Sequence, residues 1–268
     1  MNGWTKILLL LLGGAKFSFA LKDCIEPIRS STNDDLQCSS EFAIVPRSIC
    51  HGDCNDRDNS QYQGSSVCAF VAESLFAEWR MLDASFFTAG TCQASMEEGR
   101  FTAEDALRIL PSNHEVVGVR IKGKDLLQAL ENGLVDYYLH GNQDAYPHTA
   151  GLHYELDLMQ PEGQRIRGAK LLGFHCNWKP LQPDESYMVL TNSEIANSVF
   201  SKVALETSPT RRGEAESLFL YATSVCTLKD NWHQMRLHHD PEKIPLFTSK
   251  DHSKTIDTIN QRTVTLVA

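Results

Sequence analysis

LPSNHEVVGVRIKGKDLLQALENGL, residues 110–134, is the stretch that decides the fold. Apolar residues at 117, 119 and 121 alternate with polar or small ones, which predicts a strand with one apolar face and one face that can meet solvent. Gly123 then permits a tight turn, because glycine lacks the Cβ that would resist it. Apolar residues follow at helical spacing, at Leu126, Leu127, Leu130 and Leu134. The stretch therefore predicts a strand, a turn and a helix packed on the strand.

The same residues resemble a known family. LPSNHEVVGVRIKG followed by LLQALENG is similar, without a gap, to the LPFGN, apolar run and LxGxxLxxALExG of the C-terminal domain of the secreted and periplasmic 5′-nucleotidases. The likeness continues from about Gly64 to Leu228, through SVCAFVAES, the hairpin at TAGLHYELDL and the segment LQPDESYMVLTNSEIA. It implies an α+β fold, with a mixed β-sheet and packed helices.

Periodicity and turn residues place the individual elements. Helices are predicted at 65–80, 103–110, 124–134 and 214–228. A short strand is expected at 85–87, and alternation on either side of the turn PEGQ predicts a hairpin. The opening helix should bury one face only. The stretches after Leu134, VDYYLHGNQDAYPH, and at 205–213, LETSPTRRG, are both predicted to be loops.

The N-terminus has the pattern of a secretory signal peptide. Lys6 precedes an apolar run from Ile7 to about Ala15, and small residues at Ser18 and Ala20 suit a cleavage site. The run is shorter than the roughly 20 apolar residues of a membrane span, and no later stretch is long enough. We therefore expect a soluble, secreted protein without a membrane span.

Composition limits the domain organisation and the partners. A chain of 268 residues with 42% apolar content suits one domain plus appendages. We expect a signal peptide at 1–20, a cysteine-rich segment at 21–63, the 5′-nucleotidase C-terminal-like domain at 64–228 and a polar tail at 229–268. The net charge of −9 argues against a nucleic-acid partner, because such proteins need a clustered basic surface.

Eight cysteines in a chain that enters the secretory pathway favour disulfide bonds, although roughly a hundred pairings are open. The alternative is a metal site made by Cys50, His51 and Cys54 with Cys38, which is less favoured in an oxidising compartment. No Asn-x-Ser/Thr acceptor for N-glycosylation occurs. The disulfide candidates are Cys24, Cys38, Cys50, Cys54, Cys68, Cys92, Cys176 and Cys226.

The resemblance also indicates substrate-binding positions. TAGTCQAS stands where the family has NGGGIR, so Thr88 replaces the family's asparagine and Gln93 its arginine. Glutamine lacks the charged, forked donor that suits phosphate. Ser112 replaces a base-stacking phenylalanine and has no ring face. Asn192 is retained, but Ser193 replaces a second stacking phenylalanine. The ribose-binding aspartate of GGDG is absent.

No catalytic or metal site is predicted. In the family the divalent metal pair and the attacking water belong to a separate N-terminal metallophosphatase domain, for which only about forty residues are present between the leader and Gly64. The run Ser112 to Glu115 resembles a metallophosphoesterase GNH(D/E) motif, but no second metal motif accompanies it. No GxSxG elbow and no glycine-rich phosphate loop occur. No cofactor is expected in this chain.

Three hypotheses of function follow. The favoured one is a secreted, non-catalytic module, a pseudoenzyme, that binds a partner or ligand, nucleotide or nucleoside among them, with its nucleotide site eroded. The second is a hydrolase of 5′-nucleotides in nucleotide catabolism, which would need a metallophosphatase domain from outside this chain. The third is a disulfide-stapled interaction protein without any ligand. Tight nucleotide binding separates the first two from the third, and metal-dependent phosphate release separates the second from the first.

Overall fold

The structure is a computed structural model that describes residues 41–45, 48–51, 65–79, 82–173 and 177–225. The predicted signal peptide and polar tail lie outside the described residues. The described strands are β1 (Ala43–Val45), β2 (Ala84–Thr88), β3 (Gly99–Phe101), β4 (Glu115–Lys122), β5 (Pro147–Ala150), β6 (Leu152–Leu156), β7 (Ile166–Leu172), β8 (Trp178–Pro180), β9 (Ser186–Asn192) and β10 (Glu206–Gly213). The helices are α1 (Ser66–Glu78), α2 (Ala103–Ile109), α3 (Gly123–His140), α4 (Ser193–Ser198) and α5 (Glu214–Val225).

The main sheet has five strands in the order β10-β4-β9-β2-β5. β2 runs parallel to β9, with Ser85 beside Leu190, and the other neighbours are antiparallel. The sheet is therefore mixed, and the predicted α+β fold with packed helices is confirmed. Strand β4, which lies between β10 and β9, is buried on both faces from Val116 to Val119. The expectation that one face of this strand meets solvent is thus wrong at its centre.

The predicted hairpin is present, but it belongs to a second sheet. β6 and β7 pair antiparallel, and β8 adds a third strand. Glu131 on α3 holds the hairpin turn: its Oε1 accepts a hydrogen bond from the Gly163 amide at 2.6 Å, and its Oε2 accepts one from the Arg165 amide at 3.0 Å. The turn is therefore fixed to the helix that packs on the main sheet.

Helix α1 is more deeply buried than its sequence suggested. Besides the predicted face of Val67, Phe70 and Val71, the side chains of Cys68 and Ala69 are also fully buried. The helix packs against β2, β5 and α5 at once. A helix covered on several sides is apolar all round, so its spacing of apolar residues does not show which faces are buried.

Helix α3 continues to His140, six residues beyond the predicted end at Leu134. Gly133 does not stop the helix. A Cβ at this position would lie 2.8 Å from the Ala145 carbonyl oxygen, so the glycine allows the following segment to approach closely. Gly141, with φ 74°, is the left-handed residue that ends the helix. The predicted loop after 134 therefore begins as the end of α3 and continues as a 3-10 turn at Gln143–Ala145 and as the start of β5.

Two further elements were missed. Residues 206–213, predicted to be a loop, form the edge strand β10, in which Glu206 pairs with Arg120 and a bulge precedes Gly213. Pro209 is tolerated because an edge strand has one side free of ladder hydrogen bonds. Helix α4 has only six residues, too few for a periodic signal. Its start is capped by Asn192, whose Oδ1 accepts from the Ile195 amide.

The other helices lie where the sequence predicted them. α2 opens with a capping box between Thr102 and Asp105, and it ends at Ile109. α5 begins at Glu214 and is described as far as Val225. No helix in the described part of the chain combines the length and the apolar character needed to cross a membrane.

Candidate functional site

The structure brings the four predicted binding positions to one edge of the main sheet. Thr88 ends β2 and Asn192 ends β9, and these strands are parallel, so both residues lie at the same edge. Ser112 lies just before β4, in which Val116 pairs with Asn192. The Gln93 amide donates to the carbonyl of Ile109, at the end of α2. We call this the strand-end edge, made of Thr88, Gln93, Ser112 and Asn192.

The side chains of Gln93 and Thr88 at this edge already make polar contacts within the protein. The Gln93 Nε2 donates to the Gly90 carbonyl at 2.8 Å, which folds its side chain back on its own turn. The Thr88 hydroxyl lies 3.4 Å from the Thr91 hydroxyl. Ser112 is exposed and offers one short hydroxyl. None of these three side chains carries a positive charge, so the edge presents no fixed cation to a phosphate from them.

Asn192, the position retained from the family, is fully buried at 0% exposure. Its Oδ1 accepts from the Ile195 amide at 2.8 Å and so caps α4. Its Nδ2 donates to Oε2 of Glu214 at 2.9 Å. Both ends of this amide are therefore committed to the fold.

Glu214 is a buried carboxyl that sequence reasoning recorded only as a helix start. It lies at the first turn of α5 with 1% exposure, and its Oε1 accepts from the His114 amide at 3.3 Å. Burial raises the pKa of Glu214 to about 7, while the hydrogen bonds from Asn192 and His114 oppose the rise and the charge of Glu194 adds to it. A lone acid at a helix start gives no sequence signal for such a group.

The turn before β4 completes the network. The His114 Nε2 lies 3.1 Å from a carboxylate oxygen of Glu194, and the Asn113 Oδ1 accepts from the Ala215 amide at 3.0 Å. Asn113 (φ 42°) and Arg211 (φ 64°) are the two non-glycine residues with positive φ in the described ranges, and both lie beside this turn. Strained backbone that persists is held by its surroundings, here by bonds to α5 and β4.

The geometry gives no metal centre at this edge. Among the residues described by the structure, no three His, Cys, Asp or Glu side chains come together in a way that would hold a metal ion. The run from Ser112 to Glu115 instead bonds to α4, α5 and β10. Its likeness to a metal-binding motif therefore does not correspond to a ligand set in this structure.

A disulfide braces the segment that leads to Gln93. Cys68 on α1 is bonded to Cys92, which follows the 3-10 turn Ala89–Thr91, and both residues are fully buried. The sequence had left this pairing open. Cys50 is also disulfide-bonded, so the alternative metal site that included it is wrong. Within the described ranges no cysteine is free. The remaining disulfide candidates, Cys24, Cys38, Cys54, Cys176 and Cys226, lie outside them.

Comparison with known proteins agrees with this architecture. Residues 46–201 match the family model described as 5′-nucleotidase, C-terminal domain. The NAD 5′-nucleotidase of Haemophilus influenzae is 27% identical over 143 residues, which is 53% of this chain and 24% of that protein. The apyrase of Tabanus yao is 26% identical over 159 residues, which is 58% of this chain and 28% of that protein.

Solved structures show the same fold. The structure of Haemophilus influenzae NAD nucleotidase matches with a TM-score of 0.61 at 22% identity, covering 71% of this chain and 36% of that chain. The 5′-nucleotidase precursor of Thermus thermophilus matches with a TM-score of 0.59 at 22% identity, covering 70% of this chain and 37% of that chain.

The fold defines the class of protein. It is an α+β domain built on a mixed five-stranded sheet, with a polar network at the ends of strands β2 and β9. Because the family model matches more than half of its length, the chain belongs to the 5′-nucleotidase C-terminal domain family. It spans about a quarter of the length of the curated relatives named above.

Proposed function

We propose that this chain is a secreted, non-catalytic member of its family that binds a ligand or protein partner, and that its nucleotide site has lost most of its nucleotide contacts. The observation that carries the proposal is the state of Asn192. This one retained position is fully buried, with both ends of its amide bonded inside the protein. Its oxygen and its nitrogen each have a partner inside the protein, and the side chain is not exposed to a ligand.

The replaced positions support the same conclusion. A guanidinium and a stacking ring are each worth about 1–3 kcal/mol to nucleotide binding. At Gln93 and Ser112 neither group is present. The side-chain amide of Gln93 donates a hydrogen bond to the Gly90 carbonyl in its own turn. Loss of both contributions lowers nucleotide affinity by about two orders of magnitude or more. The edge is then left for a weaker ligand or for a protein partner.

Calorimetric titration of the mature protein with AMP, adenosine and NAD tests this proposal, with phosphate release assayed in parallel with and without zinc or manganese. NAD is included because a relative is named as an NAD 5′-nucleotidase. We expect no metal-dependent phosphate release and weak or undetectable nucleotide binding. Metal-dependent release would contradict the proposal and favour a hydrolase. Tight AMP binding without release would contradict the loss of nucleotide contacts and leave a nucleotide-binding module.

A restored variant sharpens the experiment. Thr88→Asn, Gln93→Arg and Ser112→Phe together return the side chains that the family carries at the strand-end edge. We expect AMP affinity to rise tenfold or more. The matched control is Gln128→Arg, which adds a positive charge on the exposed face of α3. Equal affinities of the restored and control variants would show that the strand-end edge is not the remnant of a nucleotide site.

A further inference from the structure

One carboxyl group joins three elements at the strand-end edge. Glu214 lies in the first turn of α5, and its Oε2 accepts a hydrogen bond at 2.9 Å from the side-chain amide of Asn192, where β9 meets α4. Its Oε1 accepts one at 3.3 Å from the backbone amide of His114, in the turn before β4. These bonds join residues 22 and 100 positions apart in sequence. We call Glu214, Asn192 and His114 the Glu214 network.

Further hydrogen bonds close the same network. The backbone amide of Glu214 donates to the His114 carbonyl at 2.9 Å. The Ile195 amide, in the first turn of α4, donates to Oδ1 of Asn192 at 2.8 Å. The backbone amides of His114, Ile195 and Glu214 therefore report together on whether the network is closed.

The charges around Glu214 do not include a cation bonded to it. The elements that surround it carry these charged and titratable side chains: Glu73 and Glu78 on α1; Glu104, Asp105 and Arg108 on α2; His114 and Glu115 at the start of β4; Glu194 on α4; Arg211 and Arg212 at the end of β10; and Glu216 on α5. Arg108 and Arg212 are each ion-paired with another carboxylate, and Arg211 is exposed. In the part of the chain that the structure describes, Glu214 thus has hydrogen-bond donors but no ion pair, and the negative charge of Glu194 acts on it.

Ionisation of Glu214 therefore favours an open arrangement. A carboxylate that is buried without a cation loses most of its hydration, and two hydrogen bonds restore only part of it. Burial raises the pKa of Glu214 from 4.5 to about 7, and the two hydrogen bonds act against the rise. When the network opens, water reaches the carboxyl and its pKa returns towards 4.5. Because the closed form has the higher pKa, its advantage is present at low pH and is lost as the pH rises through about 7.

We propose that the Glu214 network is a proton-controlled closure of the strand-end edge. With Glu214 protonated, the network holds the turn before β4 to α4 and α5; with Glu214 ionised, it opens more often. Asn192 is 0% exposed in the closed form, so opening would uncover its side-chain amide. Ser112 precedes His114 in the same turn and would move with it. The inference goes beyond the proposed function, and its test needs no ligand.

Amide hydrogen exchange of the native chain, read by NMR at pH 6 and pH 8, tests the closure. Rates are converted to protection factors so that the intrinsic effect of pH is removed. From the two pKa values, protection at the amides of His114, Ile195 and Glu214 should fall about tenfold between pH 6 and pH 8. The same rates should hardly change in about 1 M urea, because a local opening exposes little surface.

Two variants identify the group responsible. Glu214→Gln keeps an acceptor oxygen but does not titrate, so protection at His114 and Ile195 should be equal at pH 6 and pH 8. Glu216→Gln removes an exposed carboxylate from the same helix. It is the matched control, and it should show the same fall as the native chain.

Three results would overturn the proposal. The first is a native chain whose three amides are equally protected at both pH values. The second is the same fall in the native and Glu214→Gln proteins, which would assign the effect to another group. The third is strong acceleration of these rates by urea, which would show that the amides exchange by global unfolding. If Glu214→Gln does not fold, the carbon-13 resonance of the Glu214 carboxyl is titrated in the native chain: its midpoint must coincide with the loss of protection, and a midpoint near 4.5 refutes the closure.

Discussion

Replacing Glu214 with glutamine should remove a pH dependence of stability that this one carboxyl creates. The side chain is buried, and it accepts hydrogen bonds from Asn192 and from the His114 amide. Burial raises its pKa from 4.5 to about 7. The folded state therefore holds the proton more tightly than the unfolded state does. Stability from this group is fully present below pH 4.5 and is lost as the pH rises towards 7.

The magnitude follows from the two pKa values. Between pH 5 and pH 8, ionisation of Glu214 should lower the free energy of unfolding by about 2.5 kcal/mol. Glutamine does not titrate, so the Glu214→Gln protein lacks this contribution. The side-chain amide of glutamine has one acceptor oxygen for the two donors, Asn192 and the His114 amide. The unmatched donor lowers the free energy of unfolding by about 1 kcal/mol at any pH. The constant cost cancels when the two pH values are compared.

Urea denaturation at pH 5 and pH 8, followed by circular dichroism, measures the effect. The mutational change in unfolding free energy should move by about 2.5 kcal/mol in favour of glutamine between pH 5 and pH 8. Glu216→Gln, at an exposed position on the same helix, is the control and should show no such movement. If native and Glu214→Gln proteins lose the same stability between the two pH values, then Glu214 does not titrate with a raised pKa and the reasoning is refuted.

Three other variants test the scaffold. Cys68→Ala with Cys92→Ala opens a disulfide that joins residues 24 apart in sequence, and should cost about 3 kcal/mol in non-reducing urea denaturation; an unchanged midpoint would contradict a stabilising role. Asn192→Ala removes a helix cap and the donor to Glu214, and should lower the free energy of unfolding by about 2–4 kcal/mol. The loss is measured as a lowered Tm, and a shift within error would show that these hydrogen bonds contribute little. Gly123→Ala places a Cβ against the Gln182 carbonyl oxygen and should lower the free energy of unfolding by about 1–3 kcal/mol in urea denaturation. An unchanged free energy would show that the backbone at Gln182 can move away from the new methyl group.

The periodic elements were predictable because their signal lies in the chain itself. The stretch from 110 to 134 alternates and then repeats at helical spacing, and it forms β4 and the first two thirds of α3. The last third of α3 was missed because Gly133 has two interpretations in sequence. A glycine near the end of an apolar repeat usually stops a helix, whereas here it makes room for the Ala145 carbonyl.

The edge strand β10 illustrates a different limit. Residues 206–213 are mostly polar, since an edge strand buries little, and they contain Pro209 and two arginines. Their strand conformation is set by pairing with β4. The Thr210 hydroxyl also donates a hydrogen bond to the Val116 carbonyl oxygen of β4. Nothing local distinguishes such a segment from a loop.

By itself the sequence determined the α+β class, the family and the number of cysteines, and it predicted the positions where the family's nucleotide contacts have been replaced. Tertiary structure alone decided the pairing of Cys68 with Cys92 and the burial of Asn192 against Glu214. The physical reason is separation along the chain. Periodicity and residue type act over a few neighbours, whereas a buried carboxyl is defined by partners brought together from distant strands and helices.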